Sequence, residues 1–217
     1  KDANIGIYGM HPSTILVDSS SIWDCVLGIY TPPASGFTAT SLKVRSSKFG
    51  LNSASFKPDY AGQPAHGVLP KAGIEINNMV MILGAVNGGL NEFYKMNTGI
   101  VAHNSNLTVR RSKFYNLGYD TTYTEDYRGM AIVCERPFGS DFGGSSLTVL
   151  PENTTFNTVY NCYGGVYTHG ASFNINGIHI LDVHTGVKSQ LATSLSTNLV
   201  NGCTITASDF GIYYLNN

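Results

Sequence analysis

Residues 42–49 read LKVRSSKF, and 65 positions later residues 107–114 read LTVRRSKF. In both copies the first, third and eighth positions are apolar and the positions between are mostly polar, so the octapeptide marks a repeated structural unit with a period to be found. Leu42, Val44 and Phe49 are its inward residues, as are Leu107, Val109 and Phe114. Arg45, Lys48, Arg110 and Lys113 point elsewhere and read as solvated outer-face charge.

An apolar-x-apolar triplet recurs at Ile15-x-Val17, Leu42-x-Val44, Val80-x-Ile82, Leu107-x-Val109, Leu147-x-Val149 and Phe173-x-Ile175, and more weakly at Leu199-x-Asn201. Successive triplets begin 27, 38, 27, 40, 26 and 26 residues apart, which sets a period near 26 with two insertions. A second column follows the triplets at Ile22, Phe49, Phe93, Phe114, Phe156, Ile180 and Ile205. The third is a glycine before an apolar residue: Gly28-Ile29, Gly73-Ile74, Gly99-Ile100, Gly129-Met130, Gly165-Val166, Gly186-Val187 and Gly211-Ile212. Three columns in fixed order predict an all-β solenoid, a parallel β-helix of about seven rungs with three short strands each. No rung can bury its own apolar face, so stacking supplies the stability.

Composition agrees. Of 217 residues 12% are charged and 24 are glycine, a balance that starves helices and favours strands joined by turns. The length predicts one domain, residues 1–217, and the chain closing on a rung predicts a segment of a longer rod or an end covered by a partner. A net charge of −1 without a polybasic cluster argues against a nucleic-acid partner, and no apolar run has the length of a membrane span. Cys25, Cys134, Cys162 and Cys203 form no C-x-x-C pair; buried thiols are the favoured reading, with disulfides left open.

The phrases FYKMNTGIVAHNSNLTVRRSKFYN (93–116) and FNTVYNCYGGVYTHGASFNINGIHI (156–180) carry a resemblance over nearly the whole chain. The sequence resembles the right-handed parallel β-helix of the pectate-lyase-like superfamily, and within it the secreted repeat proteins of Bacteroidota surfaces, including those exported by the type IX route. The resemblance implies a secreted or cell-surface location. It also implies carbohydrate chemistry, by lyases with calcium-holding acidic clusters and an Arg base, or by hydrolases with closely set Asp residues and a Gly-His-Gly. Here Thr168-His169-Gly170 and Ala65-His66-Gly67 lack the first glycine, and Glu135 to Gly139 does not match the lyase pattern.

The expectation is therefore a non-catalytic surface module, adhesive or glycan-binding, without a cofactor. The alternatives are a polysaccharide lyase or glycosidase working along one face, with calcium if a lyase, and a cargo or subunit of a larger surface assembly. Candidate ligand-binding residues lie in the two insertions, 50–72 and 115–128, which should emerge along one edge: Tyr60 and His66, then Tyr119, Asp120, Tyr123, Asp126 and Tyr127. Tyrosines beside carboxylates suit a sugar's apolar face and its hydroxyls. The candidate catalytic cluster is Asp182, His184 and Asp209, with His169 beside it. Asp182 and His184 flank the inward Val183, and Asp209 should stack on His184.

Overall fold

The computed structural model describes residues 3–10, 14–33, 41–52, 69–120, 127–136, 145–152, 155–191 and 198–215. These residues are all-β, with no helix among them. In chain order the strands are β1 (Ala3–Tyr8), β2 (Thr14–Asp18), β3 (Ser21–Trp23), β4 (Cys25–Tyr30), β5 (Ser41–Arg45), β6 (Lys48–Gly50) and β7 (Ala72–Asn77). There follow β8 (Val80–Leu83), β9 (Asn91–Tyr94), β10 (Thr98–His103), β11 (Asn106–Val109), β12 (Ser112–Tyr115) and β13 (Met130–Glu135). The last are β14 (Ser146–Val149), β15 (Asn157–His169), β16 (Ser172–Asn176), β17 (Ile178–Gln190), β18 (Leu199–Asn201) and β19 (Thr204–Leu215).

Every pairing between these strands is parallel and links elements one repeat apart. The first stack is a seven-stranded sheet in the order β2-β5-β8-β11-β14-β16-β18. The second runs β3-β6-β9-β12 and the third β1-β4-β7-β10-β13. Both lead into β15, β17 and β19, single strands of 12 or 13 residues that replace two short ones, so the two stacks join into one wrapped twelve-stranded sheet. Three separate short strands per turn is thus correct only before β15.

Register corrects four column entries. Leu42 and Val44 pair with Met81 and Leu83 rather than Val80 and Ile82, and Ile175 pairs with Val200, leaving Leu199 exposed. Phe114 pairs with Val159, while Phe156 lies outside the core; Ile100 pairs with Ile132, so Ala131 takes the place expected for Gly129. At Val80 and Leu199 the neighbouring apolar residue gave an equally good sequence match, and a one-residue shift carries it to the buried face; Val159 lies three residues beyond Phe156 and Ala131 two beyond Gly129, offsets that only the strand register reveals.

The interior explains the repeated octapeptide. Leu42, Val44, Phe49, Leu107, Val109 and Phe114 are all at most 1% exposed, and Phe49, Phe93 and Phe114 stack face to face with centroids 5.0 and 4.7 Å apart. Between strand and strand, Ser46 and Arg111 turn the chain at φ 51° and 46°. The next residue in each copy, Ser47 or Ser112, is fully buried and its hydroxyl donates to the carbonyl two residues back at 2.8 Å. Similar left-handed corners stand between the second and third stacks (Asp24, Lys95, Asn116, Asn161, Asp182) and after the third (Asn78, Asn104, Gly170, Leu191). Asn and Asp recur there because their short polar side chains tolerate this conformation best after glycine.

Glycines of the third column are required by the rings beneath them. A methyl group at Gly73 would lie 2.7 Å from Phe93 Cδ1, and one at Gly99 would lie 2.7 Å from Phe114 Cδ1 and 2.4 Å from the Ala131 carbonyl oxygen. Gly211, in the last described layer, has nothing within 4 Å of that position.

Candidate functional site

The outer face of the third stack follows a simple rule. Residues two before and two after each column glycine point outward, giving Tyr163 and Tyr167 around Gly165, His184 and Lys188 around Gly186, and Asp209 and Tyr213 around Gly211. In an earlier turn the same positions around Gly73 hold Lys71 and Glu75, an ion pair at 3.2 Å. Across the last turns the two outward rows become the walls of a groove of about 690 Å³. Its floor is Met130, Thr185 and Phe210, on β13, β17 and β19, with Gly164 of β15 paired to both Met130 and Thr185. Three strand spacings make it roughly 14 Å long, parallel to the stacking direction.

One wall is a ladder of rings. Tyr119 and Tyr163 lie 4.9 Å apart, and Tyr163 stacks on His184 at 4.9 Å and 19°. His184 Nδ1 is then 3.6 Å from Asp209 Oδ2. Arg128 closes the near end, its guanidinium 4.5 Å above the Tyr119 ring and its Nη2 donating to the Tyr119 hydroxyl at 2.8 Å. On the other wall Lys188 lies over Tyr167 at 5.4 Å, and the Tyr167 hydroxyl donates to Gln190 Oε1 at 2.9 Å. Phe210 and Tyr213 meet at 5.2 Å and 55° at the far end.

Two groups of sequence candidates that came from distant parts of the chain thus converge. Tyr119 and Tyr127 from the second insertion, and His184 and Asp209 from the last turns, line one groove. Asp120 does not line it: its carboxylate accepts the Leu69 backbone N–H at 3.2 Å, tying together the flanks of both insertions. Those insertions do leave the same edge, between the second and third stacks. Tyr60, His66, Tyr123 and Asp126 lie outside the described residues.

Asp182 is exposed, as expected, but it is a corner residue at φ 53° and borders a shallow hollow with Thr206 and Ser208. His169 pairs in register with Gln190 at the groove's end and is not among its lining residues, which corrects its placement beside His184. A different histidine makes the tightest acid–imidazole contact among the described residues: His103 Nδ1 lies 2.7 Å from Glu135 Oε1, both mostly buried. Sequence reading missed Tyr163, Tyr167, Lys188, Gln190, Phe210 and Tyr213. For Tyr163, Tyr167, Lys188 and Tyr213 the signal lies in the spacing, two residues before or after a column glycine, whereas Phe210, one before Gly211, and Gln190, four after Gly186, fall outside it.

Chemically the groove offers aromatic edges and faces, two cations, one carboxylate and one imidazole. Among the described residues no group of three or more His, Cys, Asp or Glu could hold a metal ion, and no helix is long and apolar enough to cross a membrane. All four cysteines are free thiols; burial pushes those of Cys134 and Cys162 up to about 12, far from the reactive thiolate. Comparison with protein-family models, with curated proteins and with solved structures finds no match.

Proposed function

We propose that the chain is a right-handed parallel β-helix of about seven turns that serves as a secreted or cell-surface glycan-binding module, with the groove of the third face as its binding site. The observation that carries this reading is the convergence of Tyr119, Tyr127, Tyr163, Tyr167, Phe210 and Tyr213 with Arg128, Lys188, His184 and Asp209 in one elongated cleft. Its volume is in the range of small-ligand sites, and a length of roughly 14 Å suits about three sugar rings laid along the rod. Rings pack on a sugar's C–H face while charged and amide groups meet its hydroxyls. The exposed Ile212 and Tyr214 of β19 would be covered by a further layer or a capping partner.

The test is calorimetric titration with oligosaccharides of three to six units, neutral and uronic, with and without calcium. Saturable binding is expected, weakened at least tenfold by Tyr213→Ala and by Phe210→Ala, with the urea midpoint unchanged by either. Binding that both variants retain would overturn the assignment of the groove.

A second reading is favoured by one contact. His184 and Asp209, 3.6 Å apart inside the cleft, form an acid–base pair that a lyase or glycosidase would use. Both are 44% exposed, which favours binding over proton transfer in a dry site. Release of new reducing ends or unsaturated products, abolished by His184→Ala and Asp209→Asn, would establish catalysis instead.

A further inference from the structure

The first stack carries a second concave site on its outer face, unrelated to the groove above. Leu16, Lys43, Ile82 and Thr108 form one outward row in register across β2, β5, β8 and β11. The residues two further on are Asp18, Arg45, Gly84 and Arg110. Gly84 turns at φ 87°, and a methyl group there would lie 2.2 Å from the Arg110 carbonyl oxygen, so the position excludes any side chain. The consequence is a slot between Arg45 and Arg110, two strand spacings or roughly 10 Å wide. It continues over Ile82 and Ala85 into a hollow of about 400 Å³, bordered by Leu16 and Val86.

Its polar rim is unevenly neutralised. Arg45 is held by Asp18 at 2.8 Å. Arg110 reaches Glu152 only at 3.5 Å, and its buried Nε makes no hydrogen bond among the described residues. Lys43 has no carboxylate within ion-pair distance among the described residues. Three cations therefore face two carboxylates around a mostly apolar hollow. Leu16 and Val86 are 57% and 62% exposed, far more than a sheet surface needs, and Ile82 is exposed between them.

We propose that this slot binds a single amphiphile with a carboxylate head, of medium-chain fatty-acid type. The head meets Lys43 and Arg110, the two cations with donors to spare, and the chain lies on Ile82, Leu16 and Val86. An acidic sugar has the charge without the apolar body. A flat bilayer would touch the rims at Leu16 and Val86 and leave the concave floor unfilled.

The experiment is titration of the whole chain with decanoate below its micelle concentration, in low salt, followed by calorimetry and by backbone amide shifts. Decanoate is expected to saturate one site, with decanol (no charge) and butyrate (no chain) each at least tenfold weaker. Amide shifts should be confined to residues 16, 43–45, 82–86 and 108–110. Lys43→Gln and Ile82→Ser should each weaken decanoate at least fivefold with the urea midpoint of unfolding preserved, and Lys95→Gln, the same charge change on another face, should not. Equal affinity for decanol and decanoate, indifference to Lys43→Gln and Ile82→Ser, or binding to phosphatidylglycerol vesicles without binding of free decanoate would each overturn the proposal.

Discussion

Gly99 sits where the Phe114 ring and the Ala131 carbonyl leave no room for a methyl group, whereas Gly211 occupies the same column with open space above it. The account therefore predicts opposite outcomes for one substitution. Gly99→Ala should destabilise by about 1–3 kcal/mol through overpacking, and Gly211→Ala should stay within about 0.5 kcal/mol of the parent; urea unfolding midpoints check both. The pair Glu92 and Tyr115 gives a pH prediction. Lys48, donating to Glu92 at 2.9 Å, holds that carboxyl below its ordinary 4.5, with help from the Tyr115 hydroxyl. A lowered pKa contributes stability that is present above 4.5 and lost as the pH falls through the lowered value. The stability difference between the parent and Glu92→Gln should accordingly shrink as the pH drops through that window; because the partner Lys48 is half exposed, the difference is below about 1 kcal/mol at neutral pH. Tyr115 has the opposite sign. Burial first, then its bond to Glu92, push its phenol up to about 12, so its contribution is complete below 10.0 and disappears as the pH rises through about 12. An ultraviolet titration should lose one tyrosine near 12 in Tyr115→Phe.

At the scale of the element, the octapeptide is a strand, a left-handed corner and a second strand, and its repetition records the same corner built twice. The stacked rings Phe49, Phe93 and Phe114 tie three such units together. Phe93→Ala, at the middle of the stack, should cost about 3–5 kcal/mol, more than truncation of the half-buried Ile22 or Ile205 at its ends; thermal or urea unfolding would rank them. The same element scale shows why some columns were legible and others slipped. Leu42, Phe49 and Ile74 are flanked by polar residues or glycine, so only one register buries them. In Val80-Met81-Ile82-Leu83 every residue is apolar, and nothing local says that Met81 and Leu83, not Val80 and Ile82, face inward. The fusion of two short strands into β15, β17 and β19 left no mark either, because Asn161 and Asp182 keep the bend within one strand, in steady register between β15 and β17 and with an irregularity around Val183 between β17 and β19.

For the whole molecule, parallel stacking converts spacing along the chain into rows across its faces, and that is how the groove arises. Its His184 and Asp209 were readable as neighbours because each lies two residues before a column glycine. The meeting of that row with Tyr119 and Tyr127 was not readable, since it depends on where an insertion from another turn folds back. The central claim is that successive turns lie in register, one strand spacing apart. It is tested most directly by spin-label distances on the outer row of the first stack, pairing Leu199→Cys in turn with Ile82→Cys, Lys43→Cys and Leu16→Cys. Registers place these four, five and six layers apart, so the account predicts backbone separations rising in equal steps, roughly 19, 24 and 29 Å. Distances that fail to rise in that order, or that place Leu16 no farther from Leu199 than Ile82, would contradict it.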